Sequence, residues 1–250
     1  MLTKAIIKDI QSLQHKKFRN EVNAFIAEGS KVVEELLMSG AYVCQRLIAS
    51  ESWSGWEMAK RFISEQTETF VVETFEMEKI SSLSNPSQIL AVFSMREEML
   101  DFNVKGEITL VLEDIQDPGN MGTIIRTADW FGIKNIVCSN QTVDLYNPKV
   151  VQSTMASLAR VNVVYTDLND WLTKQENIPV ITATMDGEAT TSFHSVKECI
   201  LVIGNEGKGV SEKLMQRAGR KMTIPKIGDA ESLNAAVATS ILLYHLRNIN

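Results

Sequence analysis

Residues 117–132 read DPGNMGTIIRTADWFG, and they follow closely on the apolar run ITLVLE at 108–113. Four apolar residues of this stretch recur at the spacing of one helix face: Met121, Ile124, Ile125 and Ala128. That spacing predicts a helix over 120–131 with a buried apolar stripe. Asn120 is suited to be the N-cap of this helix, and Gly132 is suited to end it.

The other side of this helix carries the polar residues of the stretch. Gly122 and Arg126 are four residues apart, so they lie one above the other on the helix. Because Gly122 has no side chain, it leaves room for the arginine or for a ligand. With Asn120 they predict a small polar site at the carboxyl end of strand 108–113, the edge where open parallel sheets bind ligands. The alternative is a well-capped helix in which Arg126 pairs with Asp129.

Short apolar strands alternate with helices along the whole chain. We predict helices at 3–20, 30–39, 52–65, 75–83, 120–131, 148–160, 167–175, 211–218 and 231–248. We predict strands at 24–28, 42–49, 69–74, 89–94, 108–113, 135–139, 161–165, 179–184, 199–204 and 221–225. This alternation predicts an α/β fold with a mostly parallel sheet that helices cover on both faces. The charged segment at 97–107 predicts a linker between a domain at 1–96 and a domain at 108–250.

The composition is that of a globular protein, with 44% apolar residues and a mean hydropathy of -0.04. No apolar run approaches the ~20 residues that span a bilayer. Cys44, Cys138 and Cys199 lack any CxxC spacing, which predicts reduced thiols in the cytoplasm and neither a disulfide nor a metal site. The net charge of -6 and the pI of about 5.2 mean that a nucleic-acid partner must meet a local basic patch.

Two further glycine-containing loops follow strands in the second half of the chain. LVIGNEGKGVSE at 201–212 matches neither the P-loop pattern nor a G-x-G-x-x-G spacing. Its glycines allow a ligand to lie against main-chain groups instead. IPKIGDAESLNAAVATSILLYHL at 224–246 enters the last helix, with Ser232 and Asn234 at the start. We expect four residues to form the buried face of that helix: Leu233, Val237, Ile241 and Tyr244.

Each loop by itself is also explained as a capped turn between a strand and a helix. Three such loops at the carboxyl ends of strands in one domain favour a shared ligand pocket. A nucleotide-dependent dehydrogenase is one alternative with this kind of sheet. Its glycine fingerprint, and the acidic residue about 20 positions further on, are absent from the sequence.

Three motifs together resemble a known family. Asn120-x-Gly122-x-x-x-Arg126, GNEGKG at 204–209 and IPKIGDAESLNAAVA at 224–238 are similar, in order and spacing, to the motifs of the SpoU (TrmH-like) RNA 2′-O-ribose methyltransferases of the SPOUT superfamily. FIAEGSKVVEELL and NPSQILAVF resemble the family's N-terminal RNA-binding domain, an α/β/α sandwich like that of some ribosomal proteins. The resemblance implies a C-terminal parallel sheet with a deep trefoil knot, S-adenosylmethionine as cofactor, and a homodimer through the C-terminal domain.

The resemblance also implies the reaction and its residues. A methyl group would pass from S-adenosylmethionine to a ribose 2′-OH, in ribosomal RNA rather than transfer RNA. The implied catalytic residues are Arg126, Asn120, Glu206, Ser232 and Asn234. The implied cofactor-binding residues are Thr184, Met185, Ile203, Gly204, Asn205, Gly209, Ile224 and Leu233. A transfer-RNA ribose methyltransferase and a non-catalytic RNA-binding protein with the same fold are the alternatives.

Arg126 corresponds to the family arginine that activates the hydroxyl. Because a guanidinium ordinarily keeps its proton, we expect Arg126 to clamp the target phosphate and to stabilise the developing alkoxide. A role as general base is the alternative. By resemblance, Glu206, Ser232 and Asn234 order Arg126 and the knot, including across a dimer interface. Asn120 is suited to orient the ribose or to cap its helix.

Basic residues near the N-terminus offer a path for RNA. HKKFR at 15–19 places basic side chains beside Phe18, and we predict RNA contacts at Lys16, Lys17, Arg19 and Arg126. The alternative for HKKFR is an ordinary solvated helix face. The sequence departs from the family after NPKVV, where Met155 and Ser157 stand near the position of a small Gly-Ala pair. The effect of this departure on the dimer or on the RNA contact stays open.

Overall fold

A computed structural model gives the fold of residues 1–193 and 196–247. The helices are α1 (Lys4–Ser12), α2 (Lys16–Val22), α3 (Ser30–Ser39), α4 (Trp56–Ala59), α5 (Thr74–Ile80), α6 (Pro118–Trp130), α7 (Pro148–Thr154), α8 (Leu168–Thr173), α9 (Glu212–Met215) and α10 (Ala235–Arg247). The strands are β1 (Ala24–Glu28), β2 (Cys44–Ser50), β3 (Glu68–Val72), β4 (Ile89–Ser94), β5 (Ile108–Leu112), β6 (Asn135–Cys138), β7 (Asn162–Tyr165), β8 (Val180–Ala189), β9 (Cys199–Ile203) and β10 (Arg220–Thr223). Short 3₁₀ helices add Ser157–Ala159 and Thr190–Ser192.

The chain divides into two compact units. The first contains residues 1–97 and 144–160, and the second contains residues 98–143 together with the chain from 161 onward. The sequence predicted a single boundary near 97–107, with 144–160 in the C-terminal domain. The structure instead groups 144–160 with the N-terminal unit, because α7 packs on β1.

The first unit is built on a mixed four-stranded sheet in the order β1-β4-β2-β3. β4 is antiparallel to both of its neighbours, whereas β2 and β3 are parallel. β1 and β4 are buried along almost their whole length, which explains their continuous apolar sequences. α1 and α5 cover one side of this sheet, where Ile10, Met77 and Ile80 enter its core.

Arg19 lies inside this unit, so its predicted contact with RNA is wrong. Its side chain is only 2% exposed and forms an ion pair of 2.5 Å with Asp144. Its Nη1 also donates to the carbonyl oxygens of Leu13 and Gln14, both at 2.9 Å. These carbonyls lie where α1 ends, so the single helix predicted at 3–20 is two helices joined by a turn that Arg19 holds.

Aromatic side chains attach the segment 144–160 to the first unit. The ring of Tyr146 packs on that of Phe25, with 4.7 Å between the centroids. The hydroxyl of Tyr42 donates to the carbonyl oxygen of Leu158 at 3.1 Å. Burial raises the pKa of Tyr42 far above its ordinary value, so the hydroxyl stays protonated and can donate.

The second unit contains a six-stranded parallel sheet in the order β10-β8-β9-β5-β6-β7. This confirms the predicted α/β fold with a parallel sheet. The inner strands β5 and β9 are buried throughout, as expected for strands covered on both faces. Trp171 and Leu172 of α8 and Leu214 of α9 pack on one face of the sheet.

The stripe predicted for α6 is confirmed, but its N-cap is not Asn120. Met121, Ile124, Ile125 and Ala128 are fully buried. The helix starts earlier, at Pro118, and the side chain of Asp117 caps it by accepting the main-chain N–H of Asn120 at 2.8 Å. Proline is favoured at the first helical position, so the sequence DPGN contains its own start signal. Gly132 follows the helix with a φ of 68°, as predicted.

The predicted buried face of α10 is wrong. Leu233, Val237 and Tyr244 are all exposed, and Ile241 is only partly buried. The core residues of the helix are instead Ala235, Ala236, Thr239, Leu242, Leu243 and Leu246. The helix starts at Ala235 rather than 231, and residue 248 of the predicted helix lies outside the described residues. Two apolar faces compete in this sequence, and only the packing on α6 selects between them.

Two further predicted helices are shorter in the structure. The helix predicted at 52–65 is the single turn of α4. The helix predicted at 148–160 ends at Thr154, because Met155 and Ala156 adopt the left-handed conformation with φ of 49° and 71°. Ser157 is buried in the 3₁₀ turn that follows. None of the helices in the described residues is long and apolar enough to span a membrane.

Candidate active site

Three loops of the second unit enclose one cavity of about 500 Å³. They are the middle of β8, the loop from β9 to α9, and the loop from β10 to α10. All eight predicted cofactor-binding residues line this cavity: Thr184, Met185, Ile203, Gly204, Asn205, Gly209, Ile224 and Leu233. Glu206 and Ser232 line it as well. The structure therefore brings together loops that lie up to about fifty residues apart in the sequence.

The first wall of the cavity is an insertion in β8. Thr182 pairs with Lys221 of β10, but the next paired residue of β8 is Glu188, so 183–187 has no partner on β10. A Cβ at Gly187 would lie 2.6 Å from the main-chain carbon of Lys221, so only glycine allows this return to the sheet. The Oγ1 of Thr184 is buried beside the carboxylate of Asp186, whose pKa it helps to lower, and its oxygen can still accept a hydrogen bond from a ligand.

The second wall is the tight loop GNEGKG. The main chains of Asn205 and Gly209 bond to each other in both directions, at 3.1 and 2.9 Å. The Oδ1 of Asn205 accepts the N–H groups of Gly207 and Lys208, and its Nδ2 donates to the carbonyl of Asp114 at 2.8 Å. A Cβ at residue 204 would lie 2.3 Å from the main chain of Gly209. Gly204 is therefore required for the loop to close.

Side chains from all three motifs meet in one hydrogen-bonded chain. The Nδ2 of Asn120 donates to the carboxylate of Glu206 at 2.7 Å. The Nδ2 of Asn234 donates to the Oδ1 of Asn120, also at 2.7 Å. The Oδ1 of Asn234 accepts the N–H groups of Ala236 and Val237 and so caps α10. The main-chain N–H of Asn120 also donates to Asp117, so both the main chain and the side chain of Asn120 are fixed.

The polar site predicted from Asn120, Gly122 and Arg126 is not formed as expected. Gly122 is buried on the apolar side of α6, and Asn120 bonds to Glu206 and Asn234 instead. Arg126 is exposed and is not among the residues that line the cavity. Helical spacing alone could not show this, since it does not specify which neighbouring elements cover each side of the helix.

Several lining residues were missed by the sequence interpretation. Met215 and Met222 add apolar surface, and Lys226 and Asp186 add charge. Lys221 donates a hydrogen bond to Asp186 at 3.2 Å and thereby holds the pKa of this carboxyl below its usual range. The sequence contained one signal for Asp186: it lies two residues after the predicted cofactor-binding residue Thr184 and directly before Gly187.

The cavity fits a nucleoside-sized ligand. Its volume lies within the range of ~300–1,000 Å³ that is typical of small-molecule sites. Apolar side chains such as Leu233, Met222 and Ile224 can contact a base, while main-chain groups of the glycine loop and the Oγ1 of Thr184 supply hydrogen bonds. A phosphate-binding loop is absent from the lining sequences, so the polar end of the ligand need not be a phosphate.

Comparison with known proteins agrees with these features. Residues 107–244 match the SpoU rRNA Methylase family, and residues 4–91 match the MRM3-like substrate binding domain. The chain belongs to the SpoU family. This confirms the resemblance carried by the three motifs, and the family uses S-adenosylmethionine as its methyl donor.

Three relatives show how the similarity is distributed. The chain is 34% identical over 244 residues to the 23S rRNA (guanosine(2553)-2′-O)-methyltransferase RlmP of Bacillus subtilis, covering 96% of this chain and 95% of that protein. It is 31% identical over 170 residues to the 23S rRNA (uridine(2479)-2′-O)-methyltransferase of Streptomyces viridochromogenes, covering 64% and 59% of the two chains. The AdoMet-bound rRNA methyltransferase of Sinorhizobium meliloti superposes with a TM-score of 0.89 at 30% identity, covering 99% of this chain and 96% of that one.

Proposed function

We propose that this protein transfers a methyl group from S-adenosylmethionine to the 2′-OH of a ribose in ribosomal RNA. The observation that carries the proposal is the cavity of about 500 Å³ built from the three SpoU motifs, with Asn120, Glu206 and Asn234 bonded together beside it. The names of the RlmP and Streptomyces relatives support ribosomal RNA as the substrate. Those two enzymes act on different nucleotides, so family membership does not specify the nucleotide that this chain methylates.

The residues present suit the cofactor. When bound, S-adenosylmethionine supplies a methyl group on a sulfonium centre that a nucleophilic oxygen can attack. We propose that Leu233 and Ile224 contact the adenine, that main-chain groups of Ile203 and Gly204 bind its polar edge, and that the Oγ1 of Thr184 accepts a hydrogen bond from the ligand. Asn205, Gly209 and Met185 complete the enclosure, and the hydrogen bonds within GNEGKG keep it preorganised.

Arg126 supplies the charge that the reaction needs. We propose that its guanidinium binds the phosphate of the target nucleotide through two parallel hydrogen bonds and stabilises the negative charge that develops on the 2′ oxygen. The hydroxyl proton would pass to solvent water as the methyl group is transferred, with Arg126 as general base the alternative. Positioning of the hydroxyl in line with the methyl group supplies further rate. We propose that the chain of Asn120, Glu206 and Asn234 orders the loops around the attacking oxygen, which makes them positioning residues.

Two copies of the chain would complete the enzyme. Trp130 is 85% exposed, and Tyr244 and Val237 are 56% and 47% exposed, although the three are large and apolar. They lie on α6 and α10, which pack on each other and share a hydrogen bond between Thr127 and Ser240. We propose that this face is the interface of a homodimer, since contiguous exposed apolar side chains mark protein contacts.

The position of Arg126 gives this dimer a catalytic role. Arg126 lies one turn before Trp130 on the exposed side of α6 and outside the lining of its own cavity. We propose that it acts in the cavity of the second copy, so that each active site is composite. The trefoil knot belongs to the same proposal and is supported by membership of the SpoU family.

The reducing compartment predicted from the cysteines is also retained as a proposal. Cys44, Cys138 and Cys199 are buried and unpaired, and burial raises the pKa of Cys44 and of Cys199 to about 12. Such thiols are unreactive and are typical of proteins that act in the cytoplasm.

Methyl transfer to RNA from a strain that lacks the gene tests the proposed function. The purified protein is incubated with this RNA and isotope-labelled S-adenosylmethionine, and the RNA is digested to nucleosides for mass spectrometry. We expect label in one 2′-O-methylated nucleoside of ribosomal RNA. Label in transfer RNA would identify transfer RNA as the substrate. Label on a base would refute methylation of the ribose. Absence of transfer together with RNA binding would indicate a non-catalytic RNA-binding protein.

A further inference from the structure

The turn between α1 and α2 presents an aromatic ring to solvent among basic side chains. Phe18 is 40% exposed and does not belong to the apolar core of the first unit. The ring of His15 meets it edge to face, with 6.3 Å between the centroids, and the Nζ of Lys17 lies 5.9 Å from its centroid. Lys16 is exposed beside it. We define these four residues, His15, Lys16, Lys17 and Phe18, as the aromatic turn.

The buried side chain of Arg19 fixes the main chain on both sides of the aromatic turn. Arg19 directly follows Phe18, and its buried guanidinium binds the carbonyl oxygens of Leu13 and Gln14 as well as the carboxylate of Asp144. These bonds fix both the end of α1 and the start of α2. With Arg19 directed inward, its neighbours on α2 are directed outward. A ring that is already ordered loses little entropy when a planar group stacks on it.

The charge around the aromatic turn is complementary to a phosphate backbone. The chain has a net charge of -6, yet its first 22 residues contain five lysines or arginines and only two acidic residues, Asp9 and Glu21. Asp144 neutralises Arg19, whereas Lys4, Lys8, Lys16 and Lys17 are exposed. A basic surface on an acidic protein is the local patch that a nucleic acid requires.

A second exposed aromatic residue of the same unit shows that exposure alone does not make such a site. Phe75 is 50% exposed, and Lys79 lies 5.0 Å from its centroid. Its exposed neighbours include Glu73 and Glu78, whose charges repel a phosphate. Phe75, with Glu73 and Glu78 against Lys79, is a matched control for Phe18, which has Lys16 and Lys17 against Glu21.

We propose that the aromatic turn binds an unpaired nucleotide of the RNA substrate, whose base stacks on Phe18 while Lys16 and Lys17 bind the flanking phosphates. This inference rests on the proposed function and adds the structural class of the RNA. Bases in a duplex are stacked on each other and hidden from an aromatic side chain, so the turn selects a bulge, a loop or a single-stranded segment. The neighbours His15 and Lys17 leave 40% of Phe18 exposed, and this part of the ring is open to the base.

Binding of two RNA probes to the full-length protein tests the proposal. One probe is a single strand of about ten nucleotides with a central 2-aminopurine, and the other is the same strand in a duplex. We expect the single strand to bind more tightly and its fluorescence to be quenched by stacking. Phe18→Ala should weaken binding of the single strand about tenfold and remove the quenching. Phe18→Trp should retain both, and Phe75→Ala should behave as the unchanged protein.

Salt dependence separates stacking from charge. The double variant Lys16→Gln, Lys17→Gln should lower the slope of log affinity against log salt by about 1.4, as expected for two lost phosphate contacts on a single strand. Phe18→Ala should leave this slope unchanged. Equal binding by Phe18→Ala and the unchanged protein, or equal loss in Phe75→Ala, would overturn the proposal, as would preference for the duplex. S-adenosylmethionine binding and methyl transfer, recorded on the same preparations, report separately on the proposed function.

Discussion

The absence of a Cβ at Gly204 determines the shape of the cavity there. A methyl group at this position would meet the main chain of Gly209 and Val210 at 2.3 to 2.4 Å, and main chain cannot move aside as a flexible side chain can. Gly207 lies three residues further on in the same loop, where a Cβ would lie 3.6 Å from the Oδ1 of Asn205. The two glycines therefore have different roles, although both belong to the same short motif.

We expect Gly204→Ala to open the loop, to lower the free energy of unfolding by ~1–3 kcal/mol and to reduce the affinity for S-adenosylmethionine. Gly207→Ala is the matched control and should retain both properties, since its added methyl group makes only an ordinary contact. Calorimetric titration with the cofactor and denaturant unfolding measure the two quantities. Equal effects of the two substitutions would show that the close approach at Gly204 does not shape the cavity.

Arg126→Ala should reduce methyl transfer by ~100-fold or more, because a charge-stabilising donor is lost from the transition state. The affinity for S-adenosylmethionine should be unchanged, since by our proposal Arg126 contacts the RNA phosphate and not the cofactor. Single-turnover kinetics and calorimetric titration separate these effects. A variant that keeps full turnover would remove Arg126 from the reaction.

A mixed dimer tests whether the site is composite. Chains with Arg126→Ala and chains with Gly204→Ala are co-expressed with different tags and purified as heterodimers. If Arg126 acts in the other copy, one site per heterodimer is intact, and about half of the normal activity returns. Activity no higher than that of either parent dimer would place Arg126 in the site of its own chain.

At the scale of elements, α10 shows how one sequence supports two apolar faces. Val237, Ile241 and Tyr244 have helical spacing, yet the described structure buries Leu242, Leu243 and Leu246 instead. A stripe that satisfies the helical period but stays exposed is explained if a second molecule covers it. One side of α10 therefore packs in the core, and by our proposal the other side forms part of the dimer interface.

Replacing the exposed apolar residues should separate the dimer. We expect the double variant Trp130→Ser, Tyr244→Ser to sediment as a monomer, because both large apolar side chains leave the interface. Val43→Ser, at an equally exposed apolar position in the first unit, is the control and should not change the sedimentation. Dimers of the double variant, observed by analytical ultracentrifugation at micromolar concentration, would refute the proposed interface.

At the scale of the whole molecule, the first unit is completed by a segment distant in sequence. Residues 144–160 lie between β6 and β7 in the chain, yet Val150 and Val151 of this segment are buried in the first unit, and Asp144 pairs with the buried Arg19. A boundary drawn at one point of the sequence would leave this unit with an open core and an unpaired buried charge.

A fragment of residues 1–97 should therefore not unfold cooperatively by itself. Loss of Asp144 alone leaves a buried charge without its partner, at a cost of ~3–5 kcal/mol. Addition of a synthetic peptide of residues 144–160 should restore a cooperative transition, measured by circular dichroism on heating. The peptide with Asp144→Asn is the control and should restore less stability. A fragment that is equally stable with and without the peptide would support the boundary predicted from the sequence.

The elements with strong local signals were predicted well from the sequence. β1, α3 and β4 have the predicted bounds, since the two strands are compact apolar runs and α3 is an amphipathic helix between Gly29 and Gly40. The helix at 3–20 was less well predicted, because the turn that divides it is stabilised by Arg19 and Asp144, which are 125 residues apart. The N-cap of α6 was misplaced by three residues because Asp117 and Asn120 are both good caps, and only the position of Pro118 distinguishes them.

The sequence by itself identified the three motifs whose residues line the cavity, through their resemblance to the SpoU family. In GNEGKG, Gly204 has no room for a Cβ and Gly209 has a positive φ, and such local geometry is contained within a few neighbouring residues. Only the tertiary structure decided which side chains are buried: Arg19 is internal, Arg126 is exposed, and α10 turns its leucines rather than its aromatic face to the core. The physical reason is that burial depends on elements that arrive from distant parts of the chain, and helical spacing contains no information about them.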